Sequence, residues 1–112
     1  MSTQTELVHF SFKYLHTDCL GNCQVGELRA FGERLKTLSG MTWQQVMQAN
    51  RHGLGHEKIP RGQLQVPCLL SEDVTFVLAF RYGHGLDPML GHREGSILYV
   101  LWVSHNHDAY RG

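Results

Sequence analysis

Apolar and polar residues alternate near the N-terminus, and this two-residue period predicts a first strand with one buried face. The apolar positions are Val8, Phe10, Phe12 and Tyr14, and they are separated by His9, Ser11 and Lys13. The next residues, 16–23, include several turn formers and have no period, so we expect a connecting loop there.

The period changes to three and four residues over 24–39, which predicts an amphipathic helix. Its apolar positions are Val25, Leu28, Phe31, Leu35 and Leu38. A second helix is predicted to begin after Thr42, because Gln45 stands three positions later, which is the spacing of a capping box. We expect this helix to end within 50–53 and to bury Trp43 in the core.

Three further strands are predicted in the C-terminal half of the chain. Residues 74–82 alternate between two faces, and residues 89–93 have the pattern of a short strand. A tight hairpin at 94–96 leads into 97–104, which is apolar on both faces, as expected of a central strand, and places Trp102 in the core.

Between the second helix and these strands, the segment 51–62 contains three glycines, a proline and six titratable side chains. This composition predicts an exposed loop. Residues 64–70 have the pattern of another short strand, which Pro67 would confine to a sheet edge or a bulge.

The order of these elements predicts an α+β fold, in which a strand and two helices precede an antiparallel sheet of three or four strands, with the helices packed on one face. A length of 112 residues with 42% hydrophobic residues supplies one core, so we expect a single compact domain over 1–112.

Ten basic residues balance ten acidic ones, so the formal net charge is zero and no overall field attracts the chain to nucleic acid. No segment approaches the roughly 20 apolar residues of a membrane span, and the N-terminus lacks a signal-peptide pattern. We therefore expect a cytoplasmic protein without a membrane partner.

The odd number of cysteines, three, favours reduced thiols over a disulfide framework. The pair Cys19 and Cys23 is only a weak signal for structural zinc.

Polar side chains collect at the ends of the C-terminal strands. If the strands that contain Arg81 and Trp102 are both antiparallel to the one between them, they are parallel to each other. Arg81, His84 and the segment 105–110 would then share one end of the sheet, and His92 and Arg93 would lie at the other end.

These residues suit phosphodiester chemistry, in which an RNA 2′-hydroxyl attacks the adjacent phosphorus and needs a base, an acid and a cation. We assign Arg81 to the phosphate, His107 as acid or base, Glu57 or His56 as the partner base, and Tyr110 as a stacking or hydrogen-bonding residue. Candidate substrate contacts are His56, Lys58, Arg61, His84 and His105. Neither a cofactor nor a metal is assigned to this reaction.

Two other interpretations of the same residues stay open. In the first, Arg81 forms a surface ion pair with Glu72, Asp73 or Asp87, and the histidines simply end a strand. In the second, the pattern His105-x-His107-Asp108 binds zinc or nickel, because alternate residues of an extended segment point the same way.

The element order, the charged segment after the second helix, Arg81 on a middle strand and the stretch 97–110, which ends in His107 and Tyr110, together resemble the RelE/YoeB-type toxins of bacterial toxin–antitoxin systems. That family has a compact α+β fold, cleaves mRNA, often on the ribosome, and is neutralised by a partner antitoxin. The resemblance implies roles for Glu57 as base, Arg81 as phosphate ligand, His107 as acid and Tyr110 as a supporting residue.

The sequence therefore suggests a small RelE-like ribonuclease that acts without metal, with RNA or the ribosome as substrate and an antitoxin as partner. The alternative is a non-catalytic protein-binding module, such as a phage- or mobile-element-encoded inhibitor or an accessory subunit. Zero net charge favours this alternative.

Overall fold

Five β-strands form one mixed sheet in the computed structural model, which describes residues 5–49, 56–68, 70–82 and 87–104. The strands are β1 (His9–Ser11), β2 (His56–Pro60), β3 (Phe76–Arg81), β4 (Pro88–Glu94) and β5 (Ile97–Val103). Their order across the sheet is β1-β5-β4-β3-β2. β1 is parallel to β5, and all the other neighbours are antiparallel.

The helices α1 (Val25–Ser39) and α2 (Trp43–Gln48) begin where side chains cap them. The Gln24 amide donates to the Glu27 carboxylate at 2.8 Å. The predicted capping box of α2 is confirmed, since the Thr42 amide donates to Gln45 Oε1 at 2.9 Å and the Gln45 amide donates to Thr42 Oγ1 at 3.2 Å. Two short 3-10 helices, Thr17–Asn22 and Arg61–Gln63, complete the described helical structure.

The α+β class is confirmed, but the sheet is larger than expected and is not wholly antiparallel. The N-terminal strand lies at the edge beside β5, where the His9 amide donates to the Ser96 carbonyl at 3.0 Å. It is also shorter than predicted, because the chain leaves the sheet after Ser11 and Phe12 is 46% exposed. The predicted loop over 16–23 is mostly a 3-10 helix.

Two apolar cores lie on opposite faces of the sheet, and we call these the helix face and the loop face. On the helix face, Leu38 of α1 and Trp43 and Val46 of α2 pack against strand residues such as Phe80 and Val100. On the loop face, the buried side chains are Ile59, Val77, Ala79, Leu90 and Leu101. The helices therefore pack on one face, as predicted.

The loop face is covered by the segment that was predicted to be a strand over 64–70. Its described residues form no strand; instead Leu64, Val66, Cys68 and Leu70 pack onto the core beneath them. Alternate apolar residues thus lie on a sheet rather than within it. The prediction of a strand there was wrong because the two-residue period describes any extended chain with one buried side.

A register shift between Leu90 and Gly91 shapes the middle of the sheet. Leu90 pairs with Trp102 and Gly91 pairs with Val100, so Leu101 is the additional residue of a β-bulge. A Cβ atom at Gly91 would lie 2.7 Å from Leu98 Cδ1, which is closer than carbon atoms approach. The hairpin predicted after β4 is confirmed and has Gly95 at a φ of 61°.

Both tryptophans contact the core. Trp43 is fully buried, and its indole Nε1 donates to the Ser96 carbonyl at 2.8 Å. Trp102 is half-buried and contacts both apolar cores. Among the described residues, the helices are too short or too polar to cross a bilayer.

Candidate functional site

The sheet brings Glu57 and Arg81 together on the loop face. Glu57 of β2 pairs with Ala79 of β3, and Arg81 stands two residues further along β3, so both side chains point to the same side. Arg81 Nη2 lies 3.5 Å from Glu57 Oε2. The side chains are 12% and 28% exposed, respectively. This ion pair is partly buried and joins two residues that were predicted from the sequence to share one site.

Glu57 is positioned by a strand, not by the exposed loop that was predicted. The polar residues His56, Glu57 and Lys58 belong to β2, and Ile59 is the buried anchor of this strand on the loop face. β2 forms one edge of the sheet, where polar side chains are common. The loop prediction was wrong for 56–60 because it relied on the composition of the segment. One buried residue, Ile59, is too weak a pattern to indicate a strand.

Strand pairing supports the expected arrangement of the strand ends. Arg81 pairs with Pro88 of β4, and the Ser104 amide donates to the Pro88 carbonyl at 3.0 Å. The Tyr82 hydroxyl also donates to the Ser104 carbonyl. Ser104, from which the chain continues into 105–110, is therefore at the same end of the sheet as Arg81, about 10 Å or two strand spacings away.

Four of the predicted site residues, His84, His105, His107 and Tyr110, lie outside the described residues. Asp108, the third candidate metal ligand of the tail, does so as well. Among the residues that the structure describes, no three His, Cys, Asp or Glu side chains are grouped so as to hold a metal ion. His92 and Arg93 are at the other end of the sheet, as expected, because Arg93 pairs with Leu98 near the start of β5.

The sheet separates His56 and Lys58 from the ion pair, because alternate residues of β2 point to opposite faces. The His56 ring lies 5.9 Å from the Phe80 ring on the helix face. Burial lowers the pKa of His56, and the nearby positive charges of Lys58 and Arg93 lower it further. The Lys58 ammonium lies 4.9 Å from the centre of the Phe76 ring. Neither side chain reaches the face on which Arg81 lies.

Arg61 has a structural role at the far end of β2. Its Nη1 donates to the carbonyls of Ser71 at 2.7 Å and Val74 at 3.1 Å, and its amide donates to the Thr75 carbonyl at 2.9 Å. These bonds fasten the turn that precedes β3. Arg61 is thus at the opposite end of the β2–β3 pair from Arg81.

Cys19 and Cys23 support the end of β5. The Val103 amide donates to Cys19 Sγ at 3.3 Å, and the Cys23 thiol lies 3.8 Å from the Val103 carbonyl. Burial raises the pKa of both thiols. Neutral thiols in these contacts fit the expectation of reduced cysteines that pack in the interior.

A groove of about 330 Å³ on the loop face was not anticipated from the sequence. We call it the tyrosine groove, and its lining includes Tyr14, Val74, His92, Glu94, Tyr99 and Leu101. The Tyr14 and Tyr99 ring centroids are 5.4 Å apart with planes inclined at 45°. His92 Nε2 lies 3.5 Å from Glu94 Oε1. The pairing of β4 with β5 places His92 beside Tyr99.

Comparison with protein-family models, with curated proteins and with solved structures finds no match for this chain. The resemblance to RelE/YoeB-type toxins therefore stays a prediction, and the function has to be argued from the geometry of the site.

Proposed function

We propose that the protein is a small RelE-like ribonuclease that cleaves RNA through attack of the 2′-hydroxyl, without a metal ion. The observation that supports this most directly is the pairing of Glu57 with Arg81 at 3.5 Å, at the end of the sheet from which the chain continues past Ser104. A carboxylate beside a guanidinium supplies two of the three groups that the reaction needs.

In the proposed reaction, the Glu57 carboxylate takes the proton of the 2′-hydroxyl. The 2′-oxygen then forms a bond to phosphorus, and the bond from phosphorus to the 5′-oxygen breaks. An acid, for which His107 is the candidate from the sequence, returns a proton to that oxygen. The products are a 2′,3′-cyclic phosphate and a 5′-hydroxyl, so no water and no redox partner takes part in this step.

Arg81 has two tasks in this proposal. Its guanidinium neutralises charge on the non-bridging phosphate oxygens, for which planar N–H donors are well suited. The 3.5 Å separation from Glu57 is longer than a direct hydrogen bond, so the two groups are held mainly by charge. A substrate phosphate that binds beside Arg81 competes with Glu57 for that charge, which frees the carboxylate to approach the 2′-hydroxyl.

RNA cleavage in EDTA, with and without ribosomes, tests the proposal. The wild-type protein should leave cyclic phosphate and 5′-hydroxyl ends, whereas Glu57→Gln and the Arg81→Ala/His107→Ala double variant should be inactive. Arg29→Ala is the matched control, because Arg29 forms an exposed ion pair with Glu33 on α1, remote from the site. Identical RNA profiles with and without protein, on and off ribosomes, would exclude a ribonuclease of this kind.

The second candidate is a non-catalytic protein-binding module. It is favoured by zero net charge and by the first turn of α1, where Val25 and Leu28 are 84% and 39% exposed although the pattern predicted them in the core. Exposed apolar residues at helical spacing suit a partner groove. Stoichiometric co-purification with the product of a neighbouring gene, abolished by Val25→Asp/Leu28→Asp and accompanied by no RNA cleavage, would favour this candidate.

A further inference from the structure

The tyrosine groove combines two aromatic rings and one carboxylate on a single wall. Tyr14 is 38% exposed, and its ring centroid is 5.4 Å from that of Tyr99. Cations are attracted to an aromatic face within about 6 Å of its centroid. The two rings are in contact with each other, so a cation at their shared edge can lie within that distance of both centroids.

Glu94 adds a full negative charge at the rim of the same groove. Its side chain is 65% exposed, and Glu94 Oε1 lies 3.5 Å from Nε2 of His92, which also lines the groove. Val74 and the buried Leu101 supply apolar surface. Aromatic faces, a carboxylate and an aliphatic wall together form the environment that receives alkylated ammonium groups in proteins.

Lys13 shows that the Tyr14 ring already attracts a cation. Its ammonium lies 5.3 Å from the ring centroid. Lys13 is exposed and its long side chain is flexible, so a ligand can displace it at little cost. Its charge nevertheless repels any cationic ligand that approaches the same ring.

We propose that the tyrosine groove binds a small organic cation with an alkylated ammonium head and no anionic group. A volume of about 330 Å³ lies within the range of small-molecule sites. This inference does not depend on RNA cleavage, because the groove lies roughly 13 Å along the strands from Arg81, four residues of β4 away. The negative charge of Glu94 disfavours a ligand that carries a phosphate group.

Binding of choline tests the proposal when it is compared with 3,3-dimethylbutan-1-ol, a neutral molecule of the same shape. Titration followed by NMR at low salt keeps charge screening weak. Choline should bind at least about tenfold more tightly than the alcohol, and it should shift the resonances of Tyr14 and Tyr99. Phosphocholine should bind more weakly than choline, which separates a free cation from a lipid headgroup.

Variants at three positions make the test specific. Tyr14→Leu removes a ring and should weaken choline binding severalfold, whereas Tyr14→Phe keeps the ring and should retain binding. Glu94→Gln should weaken binding, and Glu33→Gln on α1 is its charge-matched control. Lys13→Gln should tighten binding, because it removes the competing cation.

The proposal is overturned if choline shows no saturable binding, or if choline and the alcohol bind equally well. It is also overturned if Tyr14→Leu and Glu94→Gln bind choline as the wild type does while their folded spectra are unchanged. Tighter binding of phosphocholine than of choline would point to an anion site and would equally refute it.

Discussion

One set of variants at the Glu57–Arg81 ion pair tests both the fold and the proposed activity. Glu57→Gln keeps the shape of the side chain and removes its charge. The Arg81 side chain, which is 12% exposed, then no longer has this carboxylate beside it. Arg81→Met keeps much of the apolar stem and removes the opposite charge. The double variant removes both charges, so the three proteins and the wild type form a double-mutant cycle.

The separation and the burial of the pair determine the expected coupling. At 3.5 Å and an effective dielectric constant of about 20, the attraction is about 5 kcal/mol. Desolvation of both groups and the ordering of two side chains offset most of this energy. We expect a net coupling of about 1–2 kcal/mol, which is above the value for fully exposed pairs because less than a third of each side chain is exposed.

Urea unfolding and thermal unfolding measure this coupling. Each kcal/mol corresponds to a change of about 4 °C in Tm for a domain of this size. Each single variant should be less stable than the wild type, and the double variant should be more stable than the sum of the two single losses implies. A coupling below about 0.3 kcal/mol would show that the two groups do not interact in solution, and the geometric basis of the site would fail.

The same variants separate structural support from catalysis. Arg81→Lys keeps the positive charge and loses the planar donors, so it should retain part of the coupling but lose at least about a hundredfold in cleavage rate. Glu57→Gln should lose cleavage although the protein remains folded. If Glu57→Gln cleaves RNA as fast as the wild type, Glu57 is a structural partner of Arg81 and not the base.

Three further predictions concern the core and the titration of buried groups. Gly91→Ala should destabilise the protein by about 1–3 kcal/mol in urea unfolding, because its Cβ would overlap Leu98; an unchanged midpoint would contradict the bulge geometry. Burial lowers the pKa of His56, so the unfolded chain binds a proton more readily than the folded protein does. Stability should therefore fall as the pH drops below about 6.5, and His56→Gln should reduce this loss. Burial raises the pKa of Cys68 to about 11, so stability should fall between about pH 9 and 11 as the unfolded thiol ionises first, and Cys68→Ala should flatten that fall.

The helices were predictable because their signals are local. Thr42 and Gln45 are three residues apart, and their side chains complete hydrogen bonds within one helical turn. The prediction of buried positions on α1 was correct at Leu38, which is fully buried, but wrong at Val25, which is exposed. Periodicity identifies which face of a helix can be buried. How many turns of that face are buried depends on how far the sheet extends beneath the helix.

The sheet was less predictable because pairing depends on partners that are distant in the chain. β1 joins β5 in parallel, across more than eighty residues of sequence, and no local pattern specifies that choice. β2 was missed because Ile59 is its one fully buried residue. The tyrosine groove was missed for the same reason. The register of β4 and β5 places His92 beside Tyr99, and Tyr14, which follows β1, reaches Tyr99 because β1 lies next to β5.

The covering segment explains why two candidate sites can occupy one face of a small sheet. Leu64, Val66 and Cys68 cover the apolar centre of the loop face. The ion pair and the tyrosine groove involve residues near opposite ends of β4, at the rows of Pro88 and His92. Arg61 fastens the turn before β3 through the Ser71 and Val74 carbonyls, and both of these residues also line the groove. The conformation of the groove wall therefore depends on Arg61, a residue that the sequence had suggested as a substrate contact.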